Sequence, residues 1–341
     1  MRKEISEKIK VLGFLMTCAV VFYHCPTVDA SYIRGSVDAA ACTLAEHIVS
    51  QMGTFAMSHF FAVTGFLLFQ NYTLKSYPQK IKRRVFSLLI PYVLWQCLTV
   101  ALKLVLNGEV IPLGDFLRKT CLFARFPYNG ALWYVYAVFF LALLSPLLLP
   151  LLRSRRSGWC WILVLITAVE AREQVSNPAV TEILNYGYFW NIFTYLPAYL
   201  VGCFCGKFAG DAEETLPLKS IFSALFLAFL LEGILPGFFS GLTVKLMPLM
   251  ALFLLPVIPN LIPQPVFQLT FLVYAVHQPL CGIVWSVLRR VYGVFPLPAT
   301  VCNLLTRAIV LTAALCLAGV IHLVLKRLAP KALGLLTGGR F

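Results

Sequence analysis

Apolar residues in this chain fall into blocks of about 17–25, each separated from the next by a short polar stretch. A block of that length is what an α-helix needs to cross a hydrocarbon core about 30 Å thick, at about 1.5 Å per residue. Segments of about ten residues with alternating polarity are absent, which excludes a transmembrane β-barrel. Composition agrees: 60% of the 341 residues are hydrophobic and only 12% charged. That is about half the roughly 25% charged share of soluble domains, too little to cover a water-soluble surface. The predicted fold is all-α, a polytopic integral membrane helical bundle of about ten transmembrane helices.

The spans are drawn at about 8–25, 52–70, 85–106, 131–152, 158–171, 186–206, 218–236, 245–262, 268–288 and 302–325. The longest non-apolar stretches, about 26–51 and 107–130, are read as loops, and no soluble domain fits between the spans. Residues 1–10 are basic and Val11–Tyr23 apolar, in imitation of a signal peptide. No small-x-small cleavage site follows, so the segment reads as an uncleaved first span.

Lys and Arg number 28 against 14 Asp and Glu, a net charge of +14. The basic residues are scattered over many short loops, which argues against a nucleic-acid partner. With the N-terminus inside, alternate loops hold eighteen on the cytoplasmic face and ten outside. The bias predicts a multi-pass protein of the inner (cytoplasmic) membrane with both termini cytoplasmic, although Arg289 and Arg290 run against it. Cysteines number eleven. Cys25 and Cys42 could pair across the first loop, while Cys203 and Cys205 lack zinc spacing.

HExxH, GxSxG, phosphate-binding Gly-rich loops and CxxC are all missing. What remains is polarity where polarity is expensive, since a charge at mid-bilayer costs about 2.5–3.5 kcal/mol on insertion scales. His24 closes the first span, with Asp29 five residues on and Pro26 ending the helix between them. His59 lies in Met57-Ser58-His59-Phe60-Phe61-Ala62-Val63-Thr64-Gly65-Phe66 of the second span. Lys80, Lys82, Arg83 and Arg84 lead into Leu88-Leu89-Ile90-Pro91-Tyr92, as an inside anchor or as a clamp for phosphates. Tyr274 and His277 stand one helical turn apart in span nine, and Glu232 lies within span seven. Gly202 and Gly206 form a GxxxG of the kind that packs helices closely.

Taken in order, VVFYH, FFAVTGF, Arg84 seven residues before Pro91-Tyr92, Ala131-Leu132-Trp133-Tyr134 and YAVHQPL resemble the membrane-bound acyltransferase 3 family. The likeness runs over residues 5–326 as one transmembrane domain, leaving 327–341 as a short cytoplasmic tail. It implies about ten spans and transfer of an acyl group, usually acetyl, to a hydroxyl of a glycan or other surface or small-molecule acceptor. The implied donor is acetyl-CoA as a substrate, with no permanently bound cofactor and no metal. It also implies an essential His at position 24 and a donor-binding basic residue near span three.

The chain departs from the family where a basic residue usually stands eleven before the His. Gly13 is there, and Lys10, one turn lower, is the candidate substitute. Thr64 replaces the usual Ser, and Ser87 stands where a second Arg often occurs. Lys10 to His24 is fourteen residues, about 21 Å of helix, comparable to an extended pantetheine arm. The expected donor site is therefore Lys10, Lys82, Arg83 and Arg84 for the phosphates. His24 is the expected general base, with Asp29, His59, Tyr274 and His277 as catalytic companions. A transporter or flippase for an anionic or lipid-linked glycan would use similar spans, but no inverted repeat or Gly/Pro-broken span pair supports it.

Overall fold

A computed structural model describes residues 3–28, 39–121, 126–173, 189–208, 263–295 and 297–340. The described residues are helical, with no strand among them. In hydrocarbon no water is available to the backbone, so each apolar block satisfies its N–H and C=O groups within itself by coiling into a helix. Four described helical stretches are long and apolar enough to cross a bilayer: Ala40–Phe69, Leu74–Asn107, Thr270–Val294 and Ala299–Leu328. The chain is an integral membrane protein. The seventh and eighth expected spans, with Glu232, lie outside the described residues.

Two compact units divide the chain near residue 56 and again near residue 257. The first contains α1 (Lys3–His24), the start of α2 (Ala39–Phe69) and the C-terminal helices. These last are α10 (Gln264–Gln268), α11 (Thr270–Val294), α12 (Ala299–Leu328) and α13 (Pro330–Thr337). Phe14 meets Phe267 at 6.0 Å between ring centroids, and His24 meets His277 at 5.4 Å. Ten residues separate the two contacts on each side, so α1 runs parallel to α10–α11. On α12, Asn303 bonds Val28 whereas Arg307, one turn later, bonds Phe22. The numbering runs in opposite directions, so α12 is antiparallel to α1. The C-terminal residues do not trail away: α13 buries Leu333, and the Arg340 guanidinium lies 5.0 Å from the Phe271 ring.

The second unit holds the rest of α2 and the helices up to residue 208. In order these are α3 (Tyr77–Arg84), a π-helical turn (Val85–Leu89), α4 (Ile90–Asn107), α5 (Leu113–Cys121), α6 (Trp133–Leu143), α7 (Ser145–Leu148), α8 (Arg155–Glu173) and α9 (Phe189–Phe208). The π turn has a local cause. Pro91 cannot donate to the Ser87 carbonyl and its ring would strike it, so the helix widens and Ile90 N–H bonds Val85 O instead. A second proline, Pro146, has a different outcome: the expected fourth span stops at Leu143 and a short helix follows, with the Ser145 hydroxyl donating to the Ala142 carbonyl that Pro146 cannot serve.

Two sequence expectations need correction. Residues 39–51, expected within a loop, form the first three turns of α2. Their polar Glu46, His47, Ser50 and Gln51 lower the hydropathy without breaking the helix, because no proline or glycine interrupts them. The expected loop 107–130 likewise contains α5, whose polar residues mask a helix.

The expected GxxxG packing is present. A methyl group built on Gly202 would collide with the Ala62 carbonyl oxygen, and one on Gly206 with that of Phe66. On the facing helix, one on Gly65 would collide with the Tyr199 carbonyl. Helices α2 and α9 therefore touch backbone to backbone, which small residues alone allow. Phe61 and Tyr195 stack at 5.2 Å beside this seam. Gly202→Ala should consequently cost about 1–3 kcal/mol through overpacking. In Gly282→Ala the added carbon meets nothing within 4 Å, and that variant should not lose stability, since Ala favours a helix interior over Gly by about 0.4–1 kcal/mol. Thermal unfolding of the two variants in detergent checks the contrast.

Candidate functional site

The first unit brings together three of the residues singled out in the sequence. His24 occupies the last position of α1, immediately before a bend at Cys25 and the helix-ending Pro26. Its half-buried ring lies beside Tyr23 at 5.2 Å and beside His277 of α11 at 5.4 Å. His277 is 0% exposed, and its Nδ1 is 2.7 Å from the backbone carbonyl of Tyr274. A carbonyl only accepts, so Nδ1 carries the proton and the neutral ring presents Nε2 as a lone pair. That Nε2 is buried and has no hydrogen-bond partner among the described residues. The Tyr274 ring is 5.8 Å from the His277 ring, on the same side of α11. Next to His24, the buried Cys25 thiol donates to the Val21 carbonyl at 3.2 Å, and Cys281 is buried on α11. Both are free, and the Cys25–Cys42 pairing is not formed.

The structure adds residues that the sequence reading did not assign to the site. Arg307 of α12 is only 2% exposed and pairs with Glu46 of α2 through Nη2–Oε2 at 2.6 Å. Its Nε donates to the Phe22 carbonyl in the last turn of α1 at 3.3 Å. Asn303 donates to the second Glu46 oxygen at 3.1 Å and exchanges two bonds with the Val28 backbone, at 2.7 and 3.3 Å. One signal was available in the sequence: an Arg inside an apolar span is as costly as any residue singled out there.

The remaining candidates stand elsewhere. Lys10 is on α1, fourteen residues before His24, in an exposed ion pair with Glu7 at 3.0 Å. Asp29 lies outside the described residues. His59 is buried on α2 in the second unit, 6.0 Å from the Phe60 ring. Also in that unit, Lys82 and Arg83 are exposed on α3 and Arg84 is half-buried where the π turn begins. Arg84 lies near enough to Tyr199 and Cys203 of α9 to act on them electrostatically. Tyr199 itself is fully buried on α9, one turn from Cys203.

Lys80, first in the basic run, has a structural task. Its ammonium donates to the carbonyls of Leu68 and Gln70, each at 2.7 Å, and so closes the C-terminal end of α2. A cation there satisfies carbonyls that the helix leaves open and complements the helix dipole. The basic run thus divides by position into a cap, two exposed charges and the half-buried Arg84.

Compared with known protein families, residues 8–323 match the family model Acyl_transf_3, described as an acyltransferase domain. Neither the curated proteins nor the solved structures yielded a match.

Removing the Lys80 ammonium leaves two partly buried carbonyls unpaired, a loss of about 1–3 kcal/mol. Lys80→Met should lower the thermal midpoint in detergent, and Lys80→Arg should recover part of the loss. Equal stability of Lys80→Met and the parent would show that the cap is not needed.

Proposed function

This chain belongs to the acyltransferase 3 family, and on that premise we propose that it is a membrane O-acetyltransferase. In this reading about ten spans lie in the inner membrane with both termini cytoplasmic. Acetyl-CoA is the donor, and the acceptor is a hydroxyl of a glycan or other surface or small molecule. His24 takes the proton of that hydroxyl as its oxygen attacks the thioester carbonyl. The new C–O bond forms, the C–S bond breaks, and the CoA thiolate leaves and takes up the proton from His24.

The observation that carries the reading is the pair of imidazoles at the end of α1. His277 is tied through Nδ1 to the Tyr274 carbonyl, which fits it to orient. His24, half-buried at a helix end, keeps the access that a base needs. Tyr274 completes the wall of the site in this proposal, and Asp29 and His59 are its further companions. For the donor we propose that Lys10, Lys82, Arg83 and Arg84 contact the phosphates, with Arg84 foremost. The support for Arg84 is its half-buried setting where the π turn begins, at the head of α4.

Transfer of label from radiolabelled acetyl-CoA to membranes of cells producing the protein tests the base. His24→Gln should lower the rate about 10²–10⁴-fold at equal amounts of inserted protein. His277→Gln should cost less, because the base remains. Acetyl transfer within a few-fold of the parent in His24→Gln would falsify this mechanism while leaving the family assignment intact. Arg84→Lys keeps the charge but loses the bidentate fork, and should raise the KM for acetyl-CoA, with Arg84→Ala raising it further. Unchanged donor dependence in both variants would reduce Arg84 to an anchor.

A further inference from the structure

We propose that Arg307, Glu46 and Asn303 are positioning residues that fix the last turn of α1 and, through it, His24. The proposal rests on the reading of His24 as general base. Helix α1 stops at His24 because Pro26 ends it, which leaves its last carbonyls without intrahelical partners. The Phe22 carbonyl receives the Cys25 N–H at 3.4 Å and the Arg307 Nε–H at 3.3 Å. Beyond the bend, Asn303 clamps the Val28 backbone with one bond in each direction. Glu46 joins the two anchors, accepting from Arg307 on one oxygen and from Asn303 on the other. The bonded chain Phe22–Arg307–Glu46–Asn303–Val28 therefore brackets His24, two residues before it and four after.

Stability alone is a poor explanation for this cluster. Arg307 is buried while Glu46 keeps 32% of its side chain accessible. An ion pair so far removed from water is often replaced by apolar side chains at little cost, and Arg307 even keeps a buried Nη1 without a partner among the described residues. An apolar pair cannot supply direction. The guanidinium fork holds a backbone carbonyl with one nitrogen and a carboxylate with another. Arg307 and Asn303 lie four residues apart, on one face of α12, so a single helix sets both ends of the bracket.

The test is a cycle that combines the pair-deleted enzyme Arg307→Met/Glu46→Leu with His24→Gln, assayed with radiolabelled acetyl-CoA at matched amounts of inserted protein. We expect the pair-deleted enzyme to accumulate normally and to keep its KM for acetyl-CoA. Its kcat should fall about ten- to a hundredfold, the scale of a small misplacement of a reacting group. Added to His24→Gln it should cause no further loss, because both changes remove the same contribution. A merely structural role predicts instead that the two losses multiply, which would overturn the proposal, as would a pair-deleted rate within twofold of the parent. If the pair-deleted enzyme fails to accumulate, Arg307→Lys carries the same cycle, since Lys keeps the charge opposite Glu46 but lacks the fork. An inactive His24→Gln beside a fully active pair-deleted enzyme overturns the positioning proposal alone. A fully active His24→Gln overturns the base and the positioning together.

Discussion

Hydrocarbon offers no hydrogen bonds, so each polar group carried into it must be answered from within the protein. That constraint reaches well past the choice of helix. It explains why a lysine from the following helix closes the end of α2, through Leu68 and Gln70. It explains why Arg307 is matched by Glu46 and by a backbone carbonyl instead of being left to solvent. The same demand is met at Pro91 by one wide turn, in which Ile90 N–H reaches Val85 O across the place where the proline withholds its donor. Where helices meet with little polar contact, at Gly65, Gly202 and Gly206, the backbones approach as closely as missing side chains allow. Dispersion between packed atoms does there what water exclusion does in soluble cores.

The two imidazoles of the first unit are unequal for the same reason. His277, on α11, is buried, and its Nδ1 proton is committed to the Tyr274 carbonyl on its own helix. Its ring cannot turn without giving up that bond, so its Nε2 lone pair has a fixed direction. His24 is placed by a helix end, not by a bond of its ring to the backbone, and its surroundings are correspondingly more open. A fixed acceptor next to a more accessible imidazole fits the orienting and proton-exchanging roles proposed above for the two groups.

The parts of this arrangement that depend on local pattern were legible in the sequence. The end of α1 at His24 follows from Pro26, and the shared face of Tyr274 and His277 follows from their spacing of three. The backbone contact at Gly202 and Gly206 follows from a spacing of four. What escaped was long-range or diluted by composition. Residues 39–51 read as a loop because Glu46, His47 and Gln51 lower the hydropathy of a stretch that still coils without interruption. Once that stretch is taken for a loop, Glu46 becomes a surface carboxylate and Arg307 loses its partner on paper. The pairing joins residues 261 positions apart, a distance over which helical periodicity carries no information. Arg307 was visible only as an anomaly, an arginine where an arginine is costly, and its meaning depends on which carbonyl and which carboxylate the fold delivers to it.

Helix α1 also sets a length scale. It runs unbroken from Lys3 to His24, so the fourteen residues from Lys10 to His24 span about 21 Å. At about 100° per residue the two side chains return to within about 40° of the same face. A donor lying along that face would find a cation at one end and an imidazole at the other. Lys10 is engaged by Glu7, but that pair is exposed and local, with the Lys10 side chain 46% accessible. Exposed pairs of this kind are worth about 0–1 kcal/mol, whereas a phosphate brings more charge and more acceptor oxygens than one carboxylate. Exchange of Glu7 for a phosphate is therefore energetically cheap. In the free chain the carboxylate keeps the ammonium paired.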